Sequence, residues 1–167
     1  MRSCRGAVFQ SVGRYDEAIE LLEKSLRLYR PDNQGTNPAM THLNLGESYF
    51  GQGRLEEADA EYRGCLKMLQ GQSSPEIPIV VSWTLTAQAQ LAASRGEFEH
   101  AAHLLGARGA IRRPMLIFPA ERAELEHAER LTRGALGEDA FAAALSMMEN
   151  ITVEEAFAFG LDTGTSR

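Results

Sequence analysis

The chain has 167 residues, 44% of them hydrophobic, with 15 Gly and 6 Pro, which suits one compact domain or one repeat array with a real core and excludes a disordered tract. A formal net charge of −6 and a pI near 5.3 argue against generic nucleic-acid binding, which calls for a basic patch. There is no apolar run long enough for a membrane span, no signal-peptide pattern at Met1–Phe9 and no motif spacing between Cys4 and Cys65, so a cytoplasmic protein with reduced thiols is expected.

Residues 4–12 read as a shortened first helix, because Gly6 precedes Ala18 by the same distance as Gly46 precedes Ala58. The outer face of such a helix needs a preceding repeat, a polar cap or a partner, so either a fragment of a longer protein or self-association at this end is expected. Gly13-Arg14-Tyr15-Asp16-Glu17-Ala18 follows, and the same pattern returns as Gly53-Arg54-Leu55-Glu56-Glu57-Ala58 and Gly96-Glu97-Phe98-Glu99-His100-Ala101. The glycines lie 40 and 43 residues apart, the period of stacked helical hairpins. Gly lets the chain turn where one helix stops, the large apolar residue fills the gap between helices, the acidic residues suit the start of the next helix, and Ala permits close approach.

Helical periodicity over residues 15–30 puts Ala18, Leu22, Ser25, Leu26 and Tyr29 on one face, with Glu20–Lys24 and Glu23–Arg27 as i,i+4 pairs on a solvated one. Pro31 to Pro38 is a loop, and Asn37 is placed to cap a helix over 38–52 with Pro38 in its first turn. In that helix Leu45, Gly46 and Tyr49 face their own hairpin, while Met40, Leu43, Asn44, Glu47 and Phe50 point elsewhere. Residues 55–70 repeat the pattern with Ala58, Tyr62, Cys65, Leu66 and Leu69 inward, which makes Cys65 a core filler. After a second loop at 71–78, a helix over 79–95 carries Trp83, Leu85, Ala89, Leu91 and Ala92. Gln88 falls where Leu45 stands in the earlier hairpin, so it is either poorly buried or makes a specific hydrogen bond.

The partner helix over 97–112 points Ala101, Leu104 and Leu105 inward, and Gly109 and Pro114 predict early fraying. Pro114 and Pro119 bracket an apolar linker. Pro119 opens a charged helix over 120–134 with Leu125, Ala128 and Leu131 as its stripe, and Gly134 and Gly137 mark a turn. A helix over 138–149 shows Phe141, Ala144, Leu145 and Met148 on one face. Thr152 caps a last short helix with Glu154 and Glu155 in its first turn and Ala156, Phe157 and Leu161 to bury. The organisation expected is a repeat region at 1–112, a helical cap at 113–161 and a flexible tail at 162–167.

The stretch from His42 to Ala58, with Leu45-Gly46, Tyr49, Gly53, Ala58 and the aromatic Tyr62, resembles a tetratricopeptide repeat of the long-helix kind, and the likeness extends over about 4–112. It implies an all-α solenoid of helical hairpins that binds a protein or peptide in its concave face. By that resemblance Met40, Leu43, Asn44, Glu47, Phe50, Trp83, Thr86 and Gln90 project into the groove. Asn44 would pair with an extended peptide backbone, and Met40, Phe50 and Trp83 would supply apolar contact. The competing reading of Phe50 and Trp83 is packing against the next helix. The C-terminal third, from Ala101-Ala102-His103-Leu104-Leu105-Gly106-Ala107 to Thr152-Val153-Glu154-Glu155-Ala156, is similar to the end of the repeat region of large bacterial signal-transduction ATPases and transcriptional regulators. No phosphate-binding Gly-x-x-x-x-Gly-Lys-Ser/Thr loop occurs, so the resemblance implies a sensor or scaffold part without ATP hydrolysis.

No nucleophile–base motif can be read from the sequence, and no enzymatic activity or cofactor is expected. Glu97-x-x-His100 and Glu124-x-x-His127 have the helical spacing of di-iron bundles, and His100 with His103 has a zinc-like spacing, but no third ligand is evident. Both Glu-x-x-His pairs read as solvated faces, with Glu97 and His100 in an exposed turn. His42 reads as a packed or capped surface histidine. The runner-up to a protein-binding scaffold is a small-molecule sensor with an enclosed pocket, and the least favoured is a metal protein.

Overall fold

The computed structural model describes residues 14–29, 38–72, 74–111 and 119–162. They form eight helices: α1 (Tyr15–Leu28), α2 (Pro38–Gly51), α3 (Leu55–Leu69), α4 (Ile77–Ser94), α5 (Phe98–Ile111), α6 (Pro119–Leu136), α7 (Glu138–Met147) and α8 (Val153–Leu161). No strand occurs among the described residues. The class is therefore the expected one, all-α with tetratricopeptide-like hairpins. The shortened helix at 4–12, the Asn37 cap, the apolar linker and the tail beyond Asp162 lie outside the described residues.

The chain divides into two compact units, one ending at Gln70 and one starting at Gly71. The boundary expected from sequence, between 112 and 113, falls inside the second unit.

In the first unit α2 packs against both α1 and α3. The small and apolar positions of the repeat do the packing: Ala18, Ala58, Cys65 and Leu66 are all 0% exposed, and Tyr62 is 1% exposed. Cys65 is a buried free thiol, in line with its reading as filler. Gly46 is the contact point that lets α2 and α3 close on each other, since its missing side chain is the space the Tyr62 ring occupies. Across α1 and α2 the Tyr49 hydroxyl donates to Glu23 Oε1 at 3.0 Å, and Gln52 Nε2 donates to Asp16 Oδ1 at 2.6 Å. Burial, and then the hydrogen bond to Glu23, raise the Tyr49 pKa above the usual phenol value.

The joints between helices are made by the main chain. Gly53 N–H donates to Phe50 O at 2.9 Å and Arg54 N–H to Tyr49 O at 2.9 Å; Gly96 N–H donates to Ala93 O at 3.1 Å and Glu97 N–H to Ala92 O at 2.9 Å. Both are Schellman closures, and both need the glycine left-handed, with φ of 74° at Gly53 and 79° at Gly96. One residue on, the next helix begins in the same register each time. Ala18, Ala58 and Ala101 N–H donate to the carbonyls of Arg14, Arg54 and Glu97, and all three alanines are 0% exposed. Arg14 and Arg54 each reach the glutamate three residues on, Glu17 and Glu57.

In the second unit α4 touches α5, α6 and α8, while α5 touches α4, α6, α7 and α8. Thirteen of the eighteen α4 residues are buried, which leaves only a narrow part-exposed strip along Ile79, Trp83, Gln90 and Ser94. Its buried hydroxyls are satisfied within the helix: Thr84 Oγ1 donates to Val80 O at 2.9 Å and Thr86 Oγ1 to Ser82 O at 3.0 Å. Gln88, 6% exposed, donates from Nε2 to Gly160 O at 2.6 Å, the specific hydrogen bond that its core position required.

Three local expectations are corrected. Gly109 lies inside α5, which continues to Ile111 without early fraying. Gly134 lies inside α6, and the turn is made by Gly137 alone, with φ of 82°. Leu131, expected on the buried stripe of α6, is 44% exposed, whereas Leu125 and Ala128 are buried. Thr152 caps α8 as expected, in a reciprocal capping box: Thr152 Oγ1 accepts from Glu155 N at 3.1 Å and Glu155 Oε2 accepts from Thr152 N at 2.7 Å.

Candidate interaction surface

The eight residues expected in a groove divide between the two units and between two environments. On α2, Met40 is 6%, Leu43 1% and Asn44 2% exposed, while Glu47 and Phe50 are half-buried. On α4, Thr86 is 2% exposed, while Trp83 and Gln90 are half-buried. The expectation that all eight present side chains to a partner is thus narrowed. Met40, Leu43, Asn44 and Thr86 are buried, and Gln90 is engaged, its Nε2 donating to Glu124 O of α6 at 3.0 Å. What stays accessible is Glu47 with Phe50 on one unit and Trp83 on the other. Periodicity assigned these residues a direction along the helix; it carried no information about what else covers that direction.

His42, on α2, is held by α3. Its Nδ1 lies 2.6 Å from Glu61 Oε2, with both side chains about four-fifths buried, at 23% and 22% exposure. This pair fastens the hairpin from the side opposite the joint, in line with a packed surface histidine.

The histidines of the second unit are placed differently from the expectation. His100 does not sit in an exposed turn: it is half-buried, its ring centroid 5.2 Å from that of Phe159 on α8. His103 meets the same Phe159 edge-on at 6.0 Å. Its Nε2 is buried and has no hydrogen-bond partner among the described residues. Burial, with a smaller push from His103, holds the His100 pKa below the usual imidazole value, although Glu97 and Asp162 pull it up. These residues line an open depression of about 550 Å³ with Gly96, Phe98, Glu99 and Leu136. Sequence reasoning missed it, because the only signal was two histidines three apart and the partner ring comes from a helix more than fifty residues later.

No group of three or more His, Cys, Asp or Glu side chains among the described residues could hold a metal ion. His127 of the second Glu-x-x-His pair faces Arg130 Nη2 at 3.3 Å on an exposed surface. No helix among the described residues is long and apolar enough to cross a membrane.

The α2–α3 hairpin, with Gly46 under the Tyr62 ring and a Schellman joint at Gly53, has the construction that the sequence resemblance implied. Residues 1–71 match the family model of the tetratricopeptide repeat. The tetratricopeptide match takes in α1, α2 and α3 and stops at the boundary between the units. Outside the matched region, the second unit has at Gly96 the same closure as at Gly53, and Ala101 is buried as Ala58 is. No curated protein and no solved structure matches the chain.

Proposed function

We propose that the chain is a protein–protein interaction module that takes a protein or peptide partner on the accessible residues of its hairpins' first helices. The observation that carries this reading is the tetratricopeptide match over residues 1–71, a repeat that generally mediates protein–protein contact. Phe50 on α2 of the first unit and, separately, Trp83 on α4 of the second are half-buried aromatic residues of the type that dominates interface energetics. The buried Asn44 and Thr86 act as supports of these helices and not as partner contacts.

The likeness of the C-terminal third to the repeat ends of bacterial signal-transduction ATPases supports a scaffold or sensor role in signalling, carried out in the cytoplasm. The test is affinity capture from the native cell extract with mass spectrometry, run in parallel with Phe50→Ala. A partner held by the native chain and lost by the variant, at equal helical circular dichroism, supports the reading. Equal capture by both excludes the α2 surface.

A further inference from the structure

We propose that the depression between the first turn of α5 and the end of α8 binds a small organic ammonium ion, with Glu97, Glu99 and Asp162 holding its charge and Phe159 its apolar body. This site is independent of the interaction surface on α2. Its volume, about 550 Å³, lies within the usual range of small-ligand sites, ~300–1,000 Å³.

The sign of the charge follows from the lining. Among the described residues, the acidic side chains around the depression are Glu97, Glu99 and Asp162, and neither Lys nor Arg lines it. The start of α5 brings a positive helix end worth roughly half a charge, which alone would favour an anion. Glu97 and Glu99 outweigh it. Asp162 closes α8, so the negative end of that helix adds to its carboxylate on the far side. The His100 imidazole does not reverse the balance, since burial keeps it neutral further into acid than a free histidine.

The shape of the ligand follows from the rings. His100 and His103 both pack on Phe159, which gives the depression an aromatic floor with acidic sides. A cation over an aromatic face is attracted by the ring quadrupole, and an attached alkyl or aryl group covers the remaining apolar surface. Among the described residues no three ligating side chains converge here to hold a bare metal ion.

The test uses the full chain, ¹⁵N-labelled, with benzylammonium as probe and benzyl alcohol and benzoate as its neutral and anionic counterparts. Saturable amide shifts confined to residues 96–103 and 157–162 are expected with benzylammonium. Benzyl alcohol should bind about tenfold more weakly and benzoate not at all. Asp162→Asn and Glu97→Gln alter exposed side chains without unseating α8, and each should weaken benzylammonium about threefold to tenfold while leaving benzyl alcohol unchanged. Phe159→Leu should weaken both benzylammonium and benzyl alcohol. Benzoate binding as well as benzylammonium, shifts centred elsewhere, or no saturation by about 10 mM would each overturn the proposal.

Discussion

A Cβ added to Gly46 would lie 2.5 Å from Tyr62 Cε1 and 3.1 Å from the Ala58 carbonyl oxygen, so the glycine of α2 and the tyrosine of α3 occupy one shared space. Gly46→Ala should therefore destabilise the first unit by about 1–3 kcal/mol of overpacking, less the ~1 kcal/mol that alanine gains in a helix. Thermal unfolding followed by circular dichroism gives the answer: a Tm raised by the full helical gain of alanine would show that the ring moves aside at no cost.

Gly109 and Gly134 are helical glycines with nothing within 4 Å of an added Cβ. Gly109→Ala and Gly134→Ala should each stabilise the second unit, by about 0.5–1 kcal/mol. Chemical denaturation of the single and double variants measures this, and the gains should add because the sites lie on different helices. A loss at Gly109 would mean that the end of α5 has a close neighbour.

Thr152→Ala removes one half of the capping box of α8 and should cost about 1 kcal/mol. The loss should be local. Amide exchange at Val153–Leu161 should quicken, while the amides of α2 and α3 stay as they were. Thr152→Ser, which retains the acceptor oxygen, should restore most of the protection.

Burial lowers the His100 pKa from its ordinary value of 6.5, so the folded chain binds fewer protons here than the unfolded chain. This contribution costs nothing above the unfolded value. Stability then falls as the pH drops through 6.5, and it stops falling below the folded value. His103 acts with burial, while Glu97 and Asp162 act against it. The Tm difference between the native chain and His100→Gln should thus shift against the native chain between about pH 7.5 and pH 5. A difference that does not vary with pH would mean that His100 titrates alike in both states.

The helices were legible in the sequence because their ends carry chemistry: glycines at the joints, prolines at the starts of α2 and α6, and a capping box at Thr152. The core of α3 was legible too, because Ala58, Tyr62, Cys65, Leu66 and Leu69 fall on one helical stripe and all five are buried. The surroundings of α4 were not. Ser82, Thr84 and Thr86 read as polar, yet all three are buried, two with hydroxyls turned back on the carbonyls of the same helix. Periodicity marks poorly a helix that is covered over most of its circumference. The Phe159 contact was invisible for a different reason: it joins positions on separate helices, and no local pattern encodes which ring will meet which histidine.

The same closure ends α2, of fourteen residues, and α4, of eighteen. Its two hydrogen bonds belong to the main chain and its one demand on composition is a left-handed glycine, so it is indifferent to the length and the character of the rod it terminates. A chain built on such reversals can lengthen a rod, or rewrite the side chains along it, and still fold back through the same two bonds. What the molecule touches is thereby free to diverge from how it bends, and insertions should be tolerated between hairpins and rejected within the six residues that turn them.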